Sequence, residues 1–303
     1  MSRREMSGHL VMLAFSALVA GSHALGGLVA GDMAPLPLMT LRFLGAAVVI
    51  GVLVQLGPGI RRTDLQAPWR YLLAGGVFAV YFVLMFEALK TAPPVNTAAL
   101  FTLVPILTAA FGWLIMRQVT TGRIGAALAV GAVGALWVVF RGDIGALIAF
   151  DLGYGEAVYV LGVVAHAIYI PLLQRLNRGE HGLVFTFGVL MGGGLLLLAL
   201  SFGALLAIDW AMVPLRVWVV LAYLVVFSTA TSFYCLQFAS LRLPAAKVMA
   251  YGYLTPSWVI LWELALGHGG PSPAILLGIV LTVIALLMLL REGRGASAHA
   301  SAR

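Results

Sequence analysis

The sequence contains little charge and almost no cysteine. Only 10% of its 303 residues are Asp, Glu, Lys or Arg, whereas soluble domains average about 25%. Hydrophobic residues make up 62% of the chain, and the mean hydropathy is +1.05. A soluble fold could not bury so much apolar surface, so the composition predicts a polytopic membrane protein. Cys235 is the single cysteine, which excludes an internal disulfide.

Sequence motifs for catalysis, metal binding and nucleotide binding are also missing. The chain has no HExxH, no GxSxG and no Cys/His cluster with metal-ligand spacing. The net charge of +7 comes without a basic stripe interleaved with aromatic residues, so nucleic acid is not an expected partner. We therefore expect no enzymatic activity, no metal and no cofactor. An intramembrane enzyme that uses His23 and His166 stays open as an alternative.

Ten apolar segments are each long enough to cross a bilayer, which takes about 20 residues. The loops between them are too short for an extramembrane domain, so we predict an all-α membrane protein. The start, "MSRREMSGHLVML", is interpreted as part of a retained first span, because its apolar run continues to Ala30. The predicted spans are residues 9–30, 35–56, 70–89, 94–115, 122–140, 155–175, 182–206, 215–237, 244–266 and 272–290.

Proline spacing indicates that the chain contains a duplicated unit. Pro93 and Pro105 have the same spacing as Pro244 and Pro256, half of the chain away. Pro93 and Pro244 are predicted to start the fourth and ninth spans, where a proline costs little. Pro105 and Pro256 are predicted to bend the same spans, which is tolerated beside a watery cavity or a neighbouring helix.

The charge distribution predicts that both termini are cytoplasmic. When the N-terminus is placed inside, the inside segments hold most of the basic residues, as the positive-inside rule requires. Since each unit has five spans, the second unit is inverted relative to the first, with the units at residues 1–150 and 151–303. Of the 18 Lys and Arg residues, those outside the inside segments are Arg42, Lys90, Arg141 and Arg216.

Four stretches of sequence carry a family resemblance. "EALKTAPPVNTAALFTLVPIL" and "QFASLRLPAAKVMAYGYLTPSWV" surround the paired prolines, and "GRIGAALAVGAVGALWVVFRG" and "PAILLGIVLTVIALLMLL" end the two units. Together they resemble the EamA family of the drug/metabolite transporter superfamily, over essentially the whole chain. The resemblance implies a multi-pass protein of the bacterial inner membrane that exports small metabolites. It also implies a central cavity lined by all helices except the fifth and tenth.

Within that family, a further similarity to exporters of aromatic amino acids implies amino-acid substrates. Paired bends and inverted units favour secondary transport by alternating access. A channel and an exporter of drugs or organic cations are the competing functions. The expected partners are a small-molecule substrate and the lipid bilayer, with the protein acting as a monomer.

Polar and aromatic residues at mid-membrane depth are the candidate substrate contacts. His23 and His166 lie near the middle of the equivalent first and sixth spans, and ionisable groups at that depth usually face the bundle interior. Tyr169 shares a helix face with His166. Aromatic side chains supply cavity walls with a polar tip, and ordinary packing is the alternative for each. The predicted substrate contacts are His23, Tyr81, Phe101, His166, Tyr169, Tyr234 and Tyr253.

Charged residues toward the outer side of the predicted bundle are the candidate gate. We expect them to close an external gate by ion pairing or to bind the charged ends of an amino acid, and a purely structural ion pair among them is the alternative. The paired prolines join this set because a bent helix supplies a two-state element. The predicted gating residues are Arg42, Glu87, Pro105, Pro256 and Glu263, with Glu156 beside them.

Overall fold

A computed structural model describes residues 3–117, 121–149, 152–240, 242–243, 248, 250–270 and 272–300. Over this part of the chain the secondary structure is helical and contains no strand. Nine of the helices described are long and apolar enough to cross a membrane, as judged by length and composition. The predicted all-α membrane fold is confirmed.

The first five helices follow the predicted spans closely, and only the fourth is divided. Their apolar length rather than a strong amphipathic pattern defines them, because each is surrounded by other helices or lipid. The helices are α1 (Arg3–Val29), α2 (Pro35–Leu56), α3 (Trp69–Ala88), α4a (Pro94–Phe101), α4b (Val104–Met116) and α5 (Gly122–Val139).

The last five helices are less regular than the first five. α8 consists of an α segment (Leu215–Tyr223), a π segment (Leu224–Thr231) and a second α segment (Ser232–Ser240). The described part of α9 is a 3₁₀ turn (Tyr251–Leu254) followed by an α segment (Thr255–Ala265). Short helices at Ile144–Ala149 and Trp210–Met212 lie in loops and were not predicted, since they are too short to give a periodic signal. The regular helices are α6 (Tyr154–Leu176), α7 (Gly182–Ala207) and α10 (Pro273–Ala300).

Pro105 and Pro256 start new helical segments instead of bending continuous helices, which corrects the prediction. Pro105 is in the first turn of α4b, directly after the tight turn at 102–103 that ends α4a. Pro256 has the equivalent place in α9, after the 3₁₀ turn. A first-turn proline is favourable because that N–H would have no helical partner. Pro244 lies outside the described residues.

Contacts between helices repeat between the two halves of the bundle. α3 packs on α6 and α7, and in the corresponding way α8 packs on α1 and α2. α4b packs on α6, and α9 packs on α1. Replacing each helix by the helix five places along the chain turns one set of contacts into the other. The α2–α7 and α5–α10 contacts are unchanged by this replacement. This exchange pattern is expected of two related five-helix units.

Glycines permit the closest helix contacts between the halves. A Cβ on Gly75 of α3 would lie 2.3 Å from the backbone N of Gly193 on α7. A Cβ on Gly134 of α5 would lie 2.7 Å from the carbonyl O of Gly278 on α10. A Cβ on Gly278 would lie 2.6 Å from the carbonyl O of Gly134. Small residues let membrane helices approach backbone to backbone. These interfaces therefore depend on the absence of a side chain.

Candidate functional site

A cavity of about 280 Å³ lies between the two halves of the bundle. Side chains of α1 to α4 and of α6 to α9 line it, and no described residue of α5 or α10 does. Its size is near the lower end of the range for small-molecule sites, roughly 300–1,000 Å³. The lining agrees with the set of helices that the family resemblance implied.

The cavity extends from the centre of the bundle toward one end. On α6 its lining runs from His166 to Leu173, close to the C-terminus of that helix. On α7 it runs from Thr186 to Leu190, close to the N-terminus. The cavity therefore reaches toward the loop at 177–181, which we call the α6–α7 end of the bundle.

Arg42 is the charged group of this cavity. Its side chain is buried, and it donates hydrogen bonds to the hydroxyls of Thr229, at 3.2 Å, and of Ser22 and Ser228, each at 3.4 Å. The guanidinium carbon lies 3.9 Å from the ring centroid of Phe82. Nη1 has no hydrogen-bond partner in the described structure. A buried cation held by neutral groups alone is costly, so this arrangement favours an added anion.

The hydroxyl partners of Arg42 were missed by the sequence analysis. Ser228 and Thr229 belong to the π segment of α8, and Ser228 also hydrogen-bonds to Ser22 of α1. π segments are rare in proteins, and those that occur are often found at functional sites. The run "STATS" at 228–232, inside an otherwise apolar span, was the available signal.

His23 lies in the same part of the cavity as Arg42, one residue after Ser22. Its Nδ1 hydrogen-bonds to Oγ1 of Thr97 at 3.0 Å. The ring stands edge-on to Phe101 and Tyr159, at centroid distances of 5.9 and 6.0 Å. Nε2 is buried and has no partner in the described structure. The predicted contact residue therefore presents a free polar atom at the centre of the bundle.

Aromatic rings form one wall of the cavity around His166. The imidazole lies 4.4 Å from the ring centroid of Tyr81 and 5.3 Å from that of Phe101. Tyr169 stacks on Phe78 at 4.4 Å, with the two planes 15° apart. The predicted residues His23, Tyr81, Phe101, His166 and Tyr169 thus come together on one cavity.

The opposite end of the bundle, which holds the loop at 89–93, is closed by contacts between the halves. Asn96 of α4a donates a 2.8 Å hydrogen bond to the buried carboxylate of Glu156 on α6. A Cβ on Gly155 would lie 2.6 Å from the carbonyl O of Ala88, so α6 meets the end of α3 directly. We call this the α3–α4 end. The cavity is therefore blocked at one end and extends toward the other.

The EamA-like transporter family model matches this chain twice, over residues 6–140 and 153–291. The chain belongs to the EamA-like transporter family. It is thus a multi-pass membrane transporter, and the family indicates transport rather than an enzymatic reaction. The comparisons give no support to the subgroup of aromatic amino-acid exporters.

Two further similarities cover nearly the whole EamA-like chain. The uncharacterized transporter YyaM of Bacillus subtilis (strain 168) is 23% identical over 288 residues, which are 94% of this chain and 93% of that protein. A protein of known crystal structure has a TM-score of 0.67 and 21% identity, over 96% of this chain and 99% of that one. The second likeness shows the fold alone.

Two of the predicted wall residues of this EamA-like transporter do not line the cavity. Tyr234 is 58% exposed on the outside of α8, where it packs on Phe238. Tyr253 is buried against α5, and a Cβ on Gly131 would lie 2.2 Å from its ring. The π segment and the 3₁₀ turn explain both errors, because each changes the rotation per residue that a regular helical period assumes.

The predicted ion pairing among the gating residues is wrong. Glu87 pairs with Lys90 at 2.7 Å, and Glu263 pairs with His268 at 2.9 Å, each within a few residues along the chain. Arg42 contacts none of the predicted acids. Glu87 and Glu263 lie near helix ends, where a basic side chain a few residues along the chain can pair with each of them at low conformational cost.

Arg70 fixes the α6–α7 end of this EamA-like transporter. Its buried guanidinium donates to the carbonyl O of Leu176 at 2.6 Å, to that of Gln66 at 3.0 Å, and to the Glu180 carboxylate at 2.7 Å. Burial acts to raise the pKa of Glu180, but the hydrogen bonds from Arg70 and from the backbone N–H of Arg178 lower it overall. The start of α3 is thereby tied to the end of α6.

The Arg70–Glu180 pair predicts a pH-dependent stability. Because the pKa of Glu180 is lowered from its ordinary 4.5, the pair stabilises the fold above about pH 4.5 and is lost as the pH falls further. Glu180→Gln should lower the unfolding free energy at pH 7 by about 1.5–3 kcal/mol and weaken the acid dependence. Thermal unfolding of purified protein between pH 7 and pH 4 measures both effects.

Glu87→Gln is the matched control, since it removes a half-exposed pair with Lys90. Such pairs contribute about 0–1 kcal/mol. Equal melting shifts for the two variants would contradict a special role for Glu180.

Proposed function

We propose that this EamA-like transporter exports small carboxylate-bearing metabolites, amino acids with aromatic or apolar side chains among them, from the bacterial cytosol. The observation that supports the proposal is Arg42, a buried cation that has no anionic partner among the described residues and lies beside an aromatic wall. A guanidinium binds a carboxylate through two parallel hydrogen bonds, and Nη1 is available for one of them. The aromatic rings then receive the apolar part of the substrate.

The proposed orientation places both termini in the cytoplasm and the α6–α7 end at the cytosolic surface. The positive-inside distribution of Lys and Arg supports this placement. The cavity then extends toward the cytosol, as the loading state of an exporter requires. We propose residues 1–150 and 151–303 as the two inverted units that rock against each other.

Release on the outer side requires the α3–α4 end to open. In the proposed cycle the hydrogen bond between Asn96 and Glu156 breaks, and so does the ion pair between Asp32 and Arg216, whose closest distance is 2.5 Å. Both contacts join the first five helices to the last five. Alternating access follows if the outer contacts open as the α6–α7 end closes.

Export of drugs or organic cations fits the cavity less well. No Asp or Glu is among the described lining residues. Arg42 repels a cationic ligand, and nothing in the described lining offsets that repulsion.

Transport by reconstituted protein tests the proposal. Liposomes receive labelled phenylalanine, tryptophan and leucine in one set and tetraphenylphosphonium in another, with and without a pH gradient. We expect amino-acid flux above that of protein-free liposomes. Flux of the organic cation alone would overturn the carboxylate proposal.

The aromatic wall predicts a specific loss of affinity. Tyr169→Ala removes a ring from the cavity wall, and a contact between that ring and an aromatic substrate contributes about 0.5–1.5 kcal/mol beyond its buried area. We expect the KM for aromatic substrates to rise about three- to tenfold, and His166→Ala to act in the same direction. Liposome uptake kinetics measure the change.

Tyr234→Ala is the control, because it removes the same side chain from an exposed face. It should leave KM unchanged. The wall assignment fails if Tyr169→Ala and His166→Ala transport every substrate with the parent KM at unchanged thermal stability.

A further inference from the structure

We infer that the cavity binds aromatic monocarboxylates that carry a neutral hydrogen-bond donor beside the carboxylate, in preference to free amino acids. A 2-hydroxy acid and an N-acyl amino acid have this chemistry. The inference rests on the proposed function and names its substrate class. Two observations carry it: the charge balance around Arg42 and the hydrogen-bond role of His23.

Over its described lining, the cavity carries a net positive charge and no acidic residue. Arg42 is the only Asp, Glu, Lys or Arg among the described lining residues. Carboxylates elsewhere are engaged with other groups: Glu156 with Asn96, and Asp32 with Arg216. No acidic side chain among the described lining residues compensates Arg42, so we assign that role to the ligand.

A monoanion and a zwitterion give the site different net charges when they bind beside Arg42. A monocarboxylate pairs with the guanidinium and makes the buried site neutral. An amino acid brings the same carboxylate together with an ammonium group, so the buried site keeps one uncompensated positive charge. Burying an unpaired charge is far more costly than burying a paired one. The charge balance therefore selects against the ammonium.

The hydrogen bonds of Thr97 define which nitrogen of His23 accepts. We assign the single hydrogen of the Thr97 hydroxyl to the carbonyl O of Pro94, at 2.9 Å. It can then only accept from His23 Nδ1, 3.0 Å away, so Nδ1 carries a proton. In the neutral imidazole, Nε2 is consequently an acceptor, and it is buried without a partner.

A ligand next to Arg42 thus meets donors from the guanidinium and one acceptor from His23. Arg42 and His23 both line the cavity, and Ser22, which accepts from Arg42, directly precedes His23 on α1. A ligand in the cavity can therefore reach both groups. A hydroxyl or an amide N–H beside the carboxylate satisfies Nε2 without adding charge. This combination distinguishes 2-hydroxy and N-acyl acids from both amino acids and simple acids.

Calorimetric binding to the purified full-length protein in detergent tests the inference with matched probes. The ligands are 3-phenyllactate, N-acetylphenylalanine, 3-phenylpropanoate, phenylalanine and phenethylamine. We expect 3-phenyllactate to bind about tenfold more tightly than phenylalanine and about threefold more tightly than 3-phenylpropanoate. Phenethylamine, which lacks the carboxylate, should not bind.

The variant His23→Asn tests the acceptor role of His23 separately from the charge of Arg42. Its amide nitrogen can replace Nδ1 toward Thr97, while the acceptor at Nε2 is removed. We expect the preference for 3-phenyllactate over 3-phenylpropanoate to disappear in this variant, whatever the affinity for 3-phenylpropanoate itself. A retained preference for 3-phenyllactate would overturn the role of Nε2.

The outcomes distinguish this inference from the proposed function. Phenylalanine binding as tightly as 3-phenyllactate, or more tightly, overturns the inference and leaves carboxylate export intact. No binding by any of the four carboxylates overturns both.

Discussion

Arg42→Gln is expected to lower carboxylate transport by about a hundredfold while the protein stays folded. The substitution removes the cation that pairs with the ligand, and loss of one partner of a buried charge pair costs about 2–5 kcal/mol of binding. The amide of glutamine extends as far as the Arg42 Nε that bonds to Thr229, so it can replace that hydrogen bond. Uptake into liposomes and calorimetric binding measure the loss.

The stability of the same variant gives an independent readout. In the empty protein Arg42 is a buried cation among neutral groups. Its removal should leave the melting temperature unchanged or raise it, because an uncompensated buried charge is destabilising. Arg42→Lys keeps the charge and loses the planar fork, so it should retain part of the transport. Parent-level transport by Arg42→Gln would remove the basis of the carboxylate site.

Gly75→Ala should destabilise the bundle strongly. A Cβ at this position would lie 2.3 Å from both the backbone N of Gly193 and the carbonyl O of Val189. Backbone atoms cannot move aside as a flexible side chain can, so α3 and α7 must separate. We expect a loss of about 3 kcal/mol, the upper part of the range for overpacking. Thermal unfolding and the yield of monodisperse protein report the effect.

Gly203→Ala is the matched control for Gly75→Ala. Gly203 is also helical, it lies on an exposed face of α7, and a Cβ there would meet nothing within 4 Å. Alanine is favoured over glycine in helices by up to about 1 kcal/mol, so the control should be neutral or stabilising. Two variants with the same melting temperature would show that the α3–α7 contact adjusts freely.

The spans and part of the aromatic wall could be predicted from the sequence, because each span and each inward-facing residue is indicated by the composition of its own helix. A run of apolar residues gives the length of a span, and a histidine such as His166 within it indicates an inward face. Pro105 and Pro256 also located the breaks in α4 and α9. Their role as segment starts differs from a bend only in a few backbone angles near Thr102 and Leu103.

The partners of the charged residues could not be predicted, since they depend on rotation and depth between helices. Arg42 was assigned to an outer gate, yet it contacts hydroxyls on α1 and α8 in the cavity. Tyr234 follows the π segment, which changes the face that a regular period predicts. In contrast, the pair of Glu87 with Lys90 is three residues apart and was readable from spacing alone.

The contact between Gly134 and Gly278 has a consequence for biosynthesis. α5 and α10 are nearly half of the chain apart in sequence, and α10 is the last described helix to leave the ribosome. Until it does, the face of α5 around Gly134 lacks the helix that it contacts in the folded bundle. Contacts of such long sequence separation form slowly, because the ends of a long segment must first be brought together. Closure of this interface therefore comes after the ribosome has completed α10.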